Sequence, residues 1–183
     1  MMPVNFTPFP VLQTTRMTLR QLTPADVEEV FILRSDERVL RHIARVPITQ
    51  KDEALAFIER ITKFAADNVS VLWGMELKEQ HGKIVGTICF WNLQPENYRT
   101  EIGYNLLPDH WGKGYAREAI EAVMDYGFNT MQLHSVEARV NATNIASAKT
   151  LEATGFIKEG YLKEEMFFNE KFLDSIIYSR LNK

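Results

Sequence analysis

Between residues 70 and 107 three β-type segments follow one another with only short turns between them, and at Gly112 the apolar period lengthens from two residues to about 3.6. The segments cover residues 70–78, 83–93 and 98–107, joined by Gln80-His81-Gly82 and by Gln94-Pro95-Glu96-Asn97. Turns this short return the chain antiparallel. Over residues 112–130, Ala116, Ala119, Ile120, Val123, Met124 and Phe128 fall on one side of a helix, and residues 134–141 read as the next strand. A strand that reaches its successor through a helix lies parallel to it. The expected fold is therefore α/β (α+β mixed), built on a mixed sheet.

The flanks extend this pattern. Residues 16–22 alternate as a short strand. Thr23 then caps a helix with Pro24 in its first position, burying Val27, Val30, Phe31 and the stem of Arg34. A second helix starts at Thr49, with Asp52 three residues on, and carries the stripe Ala54, Phe57, Ile58, Ile61, Phe64 and Ala65. Residues 35–47 between them read as a short helix plus loop. Residues 144–154 form a short helix stopped at Gly155-Phe156, and the chain closes on a hairpin of residues 161–168 and 171–181 around Asn169-Glu170.

Composition narrows the class. A length of 183 residues suits one domain, 1–183, and 45% hydrophobic with 25% charged residues suits a packed core rather than disorder. Cys89 is the only cysteine, so no internal disulfide forms and a reducing compartment is expected. The start has neither a basic n-region nor an apolar stretch, and no run of about 18 apolar residues occurs. A cytoplasmic protein without a membrane partner is expected. Twenty-one basic against 24 acidic residues give a charge of −3 with no basic stripe, so no nucleic acid is expected. His42, His81, His110 and His134 lack metal-ligand spacing, and no metal is expected. A homodimer is compatible with the sequence, but no feature establishes one.

The most informative segment is LLPDHWGKGYAREA, residues 106–119. A helix start ordinarily favours Asp or Glu, because its free N–H groups carry partial positive charge. Here the turn holds Gly112, Lys113, Gly114 and Arg117, with no carboxylate until Glu118. Such a terminus suits an external anion, most simply a phosphate. The alternative is a helix capped by Asp109 with Lys113 and Arg117 on a solvated face. The segment is neither a Walker loop nor the G-x-G-x-x-G dinucleotide fingerprint.

WGKGYAREA resembles the pyrophosphate-binding loop of the GNAT N-acetyltransferase superfamily, [RQ]-x-x-G-x-[GA]. Gly114 and Ala116 match it, and Trp111 stands where Arg or Gln is usual, as in the subgroup similar to the ribosomal-protein alanine N-acetyltransferases. EIGYNL, NATNIASAKTLEATGF, FLDSIIYSRL and the opening RMTLRQLTPADVEEV are similar to the same subgroup in the same order. The resemblance implies a strongly twisted sheet of about seven strands, splayed centrally, with helices on both faces and acetyl-CoA as co-substrate. It also implies a strand irregularity that frees backbone groups of Asn105, Leu106 and Leu107 for the pantetheine arm. The pyrophosphate would lie on the amides of Gly112, Lys113, Gly114, Tyr115 and Ala116 beside Trp111, with Lys113 and Arg117 adding charge and Asn144 bonding pantetheine.

Acetyl transfer to an amine needs a neutral amine, a stabilised oxyanion and a proton for the departing thiolate. An alkyl amine of pKa about 10.4 costs about 4.6 kcal/mol to deprotonate at pH 7, a protein α-amino group near 7.8 only about 1 kcal/mol. Glu101, on the strand face shared by Arg99, Gly103 and Asn105, is the candidate base; a salt bridge to Arg99 or another cation is the alternative. Many family members carry a tyrosine four residues before Gly155-Phe156, where this chain has Leu151. Ser147, in the N-x-x-S stretch after Asn144, is therefore the candidate acid, and the alternative makes Asn144 a cap and Ser147 a solvated residue. A backbone N–H near Asn105 or Leu106 is the expected oxyanion donor. Cys89, Phe167, Phe168, Phe172 and Tyr178 are expected mostly in the core; Trp73 and Trp91 are assigned to core or acceptor pocket. Asp36, Glu37, Arg38, Arg41 and His42 are placed near the acceptor mouth. The expected activity is acetyl-CoA-dependent N-acetylation of a protein N-terminus or small amine by direct attack in a ternary complex. A non-catalytic acyl-CoA sensor and a polyamine- or aminoglycoside-type enzyme are the alternatives.

Overall fold

The computed structural model describes residue 2 and residues 4–183. Two strands, β1 (Leu12–Gln13) and β2 (Met17–Arg20), precede three helices, α1 (Val27–Ser35), α2 (Glu37–Leu40) and α3 (Lys51–Ala66). The meander follows as β3 (Val71–Leu77), β4 (Ile84–Gln94) and β5 (Arg99–Leu106). Then come α4 (Tyr115–Asp125), β6 (Ser135–Asn141), α5 (Ile145–Ala153), β7 (Ile157–Phe168) and β8 (Lys171–Leu181). All lie in one sheet ordered β1-β2-β3-β4-β5-β6-β8-β7, and β5–β6 is the parallel pair within it. The strand beyond the expected seven is β1, two residues paired on the edge of β2 and too short to leave a sequence period.

Local chemistry shifts two helix starts from their expected positions. Glu53, not Asp52, closes the α3 cap: its carboxylate accepts from Thr49 N at 2.8 Å and Gln50 N at 3.0 Å, which moves the N-cap to Gln50. Gly112 and Gly114 are loop residues, and α4 begins at Tyr115 with Gly114 as its N-cap. Residues 126–130 continue α4 as a π-helical turn.

Two apolar layers sandwich the sheet. Ile102 and Leu106 of β5 face α4 and α5, packing in one cluster with Ile120, Val123, Leu151 and Trp73. On the opposite face α1 and α3 bury Val30, Leu33, Ala54, Ile58 and Ile61 against Leu22 and Ile84. Each buried Val, Leu or Ile among them contributes roughly 1.5–3 kcal/mol, so the helices hold the sheet from both sides. β4 and β5 approach so closely at Gly86 that an added Cβ would lie 2.3 Å from Asn105 O.

The decisive feature is where pairing stops. β5 pairs with β6 only over residues 99–101 opposite 135–137, whereas β4–β5 pairing continues to Gly86 opposite Leu106. Beyond Glu101 the two parallel strands part, and a cleft of about 620 Å³ opens along the free side of β5. The expected irregularity inside the C-terminal half of β5 is absent. The irregular stretch between β4 and β5 lies at Trp91/Gln94, at the far end, with Asn92 in left-handed backbone. The free backbone of β5 comes from divergence, not from a bulge.

Candidate active site

Glu101 lies at the root of the cleft, where the parallel pairing ends, and is 6% exposed. Two arginines of β5 and β6, Arg99 and Arg139, are engaged elsewhere. Arg99 pairs with Glu137, and Arg139 bridges Glu137 at 2.9 Å and Glu165 at 2.5 Å. Glu101 itself has no ion pair among the described residues. Burial, reinforced by the Glu137 charge, raises its carboxyl to about 7, against smaller opposing effects from Arg139 and the Asn92 side chain. A group so placed takes up and releases a proton near neutrality.

On the other face of β5 a hydroxyl pair spans from strand to helix. Tyr104 Oη lies 2.8 Å from Ser147 Oγ, and burial pushes the phenol up to about 12, so it stays protonated at neutral pH. Asn144 caps α5, its Oδ1 accepting from Ser147 N at 3.1 Å, which sets Ser147 in the first turn facing the cleft. Leu151 is fully buried beneath them. Strand alternation had put Tyr104 on the face away from Glu101, but its partnership with Ser147 depends on how α5 docks and left no mark in the sequence.

Hydrogen-bond parity assigns the backbone. Leu107 N donates to Val85 O at 2.8 Å, so the odd-numbered residues of β5 direct N–H and C=O at β4 and the even-numbered ones direct them to the open side. Tyr104 and Leu106 therefore line the gap with main-chain groups, and Trp111 Nε1 takes the Leu106 carbonyl at 2.8 Å. Asn105 and Leu107 turn their amides inward to β4, and the Asn105 Oδ1 accepts from Thr87 Oγ1 at 2.7 Å.

At the end of β5, residues 108–110 make one 3-10 turn, and Gly112 and Gly114 take left-handed backbone at φ 72° and 81°. Side-chain-bearing residues adopt that region at a cost of about 1–2 kcal/mol. The first helical bond of α4 is Glu118 N to Gly114 O at 3.1 Å, and no described residue accepts from the N–H groups of 112–117. A Cβ at Gly112 would meet nothing within 4 Å, so the amides are open to an approaching anion. Glu118, the first carboxylate, is turned away: it accepts from Thr14 Oγ1 at 2.6 Å, Arg16 N at 2.7 Å and Arg16 Nε at 2.7 Å. Arg16 in turn bonds Lys113 O at 2.9 Å and lies 4.4 Å over the Tyr115 ring. The N-terminal segment thus braces the loop from behind. Lys113 and Ala116 sit at this helix start, while Arg117 pairs with Glu121 at 3.1 Å on the solvent side.

Other expectations divide. Trp73 is buried and donates to Pro10 O at 2.6 Å, whereas Trp91 is exposed and lines the cleft. Cys89 lines the cleft rather than the core, and burial pushes its thiol up to about 12. Tyr178 is buried, but Phe167 and Phe172 form an exposed pair with ring centroids 5.0 Å apart at the β7–β8 hairpin, because that hairpin runs past the layers that would cover it. His42 lies in the cleft wall beside Thr143, and Asp36 caps α2 through Arg38 N at 2.8 Å. Sequence reasoning missed Arg34, Arg45 and Arg60 as cleft residues; the run of basic residues without carboxylates between 38 and 45 was the available signal for Arg45, and nothing local marked Arg34 or Arg60.

A sheet whose two parallel strands separate, with open helix-start amides at its mouth and a near-neutral carboxyl at its root, defines an acyltransferase class of fold. The chain belongs to the acetyltransferase (GNAT) family, whose domain model matches residues 16–157. It is 34% identical over 171 residues to the uncharacterized N-acetyltransferase YoaA of Bacillus subtilis (strain 168), covering 93% of this chain and 96% of that protein. Among solved structures it is similar to a GNAT-family acetyltransferase from Bacillus anthracis, at TM-score 0.83 and 26% identity over 94% of this chain and 98% of that one. Spermidine N-acetyltransferase from Vibrio cholerae, solved with CoA and spermine, aligns at TM-score 0.80 and 26% identity, covering 91% of this chain and 96% of that one. Among the described residues no helix is long and apolar enough to cross a membrane.

Proposed function

We propose that this protein transfers an acetyl group from acetyl-CoA to a primary amine by direct attack within a ternary complex. The observation that carries the reading is Glu101, a carboxyl without a cationic partner, buried where the sheet splits and held near pKa 7. The open amides of residues 112–116 hold the pyrophosphate, helped by the charge of Lys113, and Trp111 ties this loop to the end of β5. The main-chain N–H and C=O of Tyr104 pair with the pantetheine arm as a neighbouring strand would, and the Asn144 amide reaches it from α5. Bound, acetyl-CoA supplies the electrophilic acyl carbon and the thiolate leaving group.

The protein's own groups then manage the protons and the developing charge. The Glu101 carboxylate takes the proton of the incoming ammonium, directly or through a water; its pKa of about 7 nearly matches an α-amino group and makes it a stronger base than an ordinary carboxylate toward an alkyl ammonium. The Leu106 N–H, directed into the gap, is the donor for the oxyanion. Ser147 Oγ passes a proton to the departing sulfur and takes the one the attacking nitrogen sheds in becoming an amide, while accepting a hydrogen bond from Tyr104 Oη, so serine never has to carry a full negative charge. Family membership and the spermidine-acetylating relative support an amine acceptor, as a protein N-terminus or a small molecule.

Thiol release over an amine panel tests this. Glu101→Gln lowers kcat/KM about 10²–10⁴-fold for amines of pKa near 10 and far less for α-amino acceptors, and it removes the acidic limb near pH 7. Ser147→Ala lowers kcat about tenfold or more with acetyl-CoA affinity retained. Equal loss for every amine, or tight acetyl-CoA binding with no transfer to any acceptor, overturns the reading.

A further inference from the structure

Three guanidiniums line the cleft on the face covered by α1 and α3, and no carboxylate neutralises them. Arg34 reaches in from α1, its guanidinium 3.9 Å over the Phe57 ring and its Nε buried without a hydrogen-bond partner. Arg60, three residues after Phe57 on α3, approaches the same ring at 5.5 Å. Arg45 enters from the segment after α2. None of the three has an ion pair among the described residues. The fourth arginine of the cleft, Arg139, already has Glu137 and Glu165. The strain of this arrangement is visible in Arg34, which burial and the charges of Arg45 and Arg60 depress to about 10.

Arg34 and Arg45 are partly buried and Arg60 is exposed on the cleft wall. Charges drawn even partly out of water are ordinarily paired, and the buried, unpartnered Nε of Arg34 points to a missing counter-ion. The pyrophosphate cannot supply it, because residues 112–117 do not line this cavity and α4 packs on the other face of the sheet. Among the described residues Glu101, on the same face as the arginines, is the only carboxyl lining the cleft that lacks an ion pair, and Cys89 feels both Glu101 and Arg45. The amine and the missing anion therefore belong to one molecule.

We propose that Arg34, Arg45 and Arg60 form an oxyanion subsite, and that the acceptor of this protein is an amine bearing a carboxylate or phosphate rather than a polyamine. The proposal rests on Glu101 being the base of an acetyl transfer. Guanidinium forks bind either oxyanion bidentately, while a polycation would meet three like charges in the same wall.

The test compares four acceptors on protein saturated with acetyl-CoA: glutamate, O-phosphoethanolamine, ethanolamine and spermidine, read as thiol release. An anionic amine has a KM at least tenfold below that of ethanolamine, and whether glutamate or O-phosphoethanolamine is favoured distinguishes the carboxylate from the phosphate source. Arg60→Gln, at an exposed position of α3 where folding is not at risk, reduces that discrimination at least tenfold; Arg34→Lys, which keeps the charge and loses the fork, reduces it less. Spermidine as the preferred acceptor, or discrimination unchanged in Arg60→Gln, overturns the subsite. A second measurement does not depend on turnover: calorimetric titration of inorganic phosphate into CoA-saturated protein, where the loop amides are filled, gives binding that Arg60→Gln weakens at least tenfold. No such binding overturns the proposal. If CoA itself does not bind, the donor reading fails on that titration alone, and phosphate binding to wild type against Arg60→Gln still decides the arginine cluster.

Discussion

Glu101 couples activity to stability with a definite sign. Its folded pKa of about 7 lies above the ordinary value of 4.5, so between these pH values the unfolded chain ionises while the folded one keeps its proton. Wild-type stability therefore falls as pH rises from about 4.5 to about 7, by up to about 3 kcal/mol, and stays level above. Glu101→Gln removes this loss. The variant is expected to gain stability over wild type on going from pH 5 to pH 8, measured by denaturant unfolding, and an identical pH dependence in both proteins would contradict the buried, unpaired carboxyl. The sequence made Glu101 a candidate through strand parity and left a salt bridge with Arg99 equally open. Only the parallel docking of β6, which brings Glu137 to Arg99, removed that partner.

The element that can be read most directly from residue types is the β5–α4 junction. Two glycines, no early carboxylate and two cations point to an anion site because helix-start electrostatics act within one turn of chain. Gly114→Val forces a β-branched residue into φ 81° at the helix cap and is expected to weaken acetyl-CoA binding at least tenfold by calorimetry, at a stability cost of about 1–2 kcal/mol. Unchanged affinity would remove the loop from coenzyme binding. The brace behind it was not legible. Glu118 looks like an ordinary helix carboxylate, yet Thr14 and Arg16, about a hundred residues away, hold it by hydrogen bonds that depress its carboxyl against the effect of burial. That brace contributes stability above the unfolded pKa and loses it as pH falls through the folded one. Boundaries slipped for a similar reason: Glu53 outcompeted Asp52 for the α3 cap once the chain entered the helix one residue later.

Across the whole molecule, function depends on a sheet that is deliberately incomplete. The amides of Tyr104 and Leu106 face the gap while those of Gly103 and Asn105 face β4, so hydrogen exchange resolved to single residues is expected to alternate along β5. Exchange at 104 and 106 should be fast in the free protein and slow with acetyl-CoA, and 103 and 105 should be slow in both; uniform protection would mean that β5 and β6 remain paired. Seven of the strands, the five helices and the single parallel crossover could be read from the chain, because periodicity and turn chemistry are set by neighbours a few residues apart. The glycines and missing carboxylates of the helix start belong to the same local order, but which β5 amides face the gap does not: Asn105 and Leu107, expected there, turn to β4. The separation of β5 from β6, the Tyr104–Ser147 pair and the meeting of Arg34, Arg45 and Arg60 were decided by tertiary structure alone. Each depends on segments distant in sequence packing at particular angles, and no residue carries a local preference for such a contact.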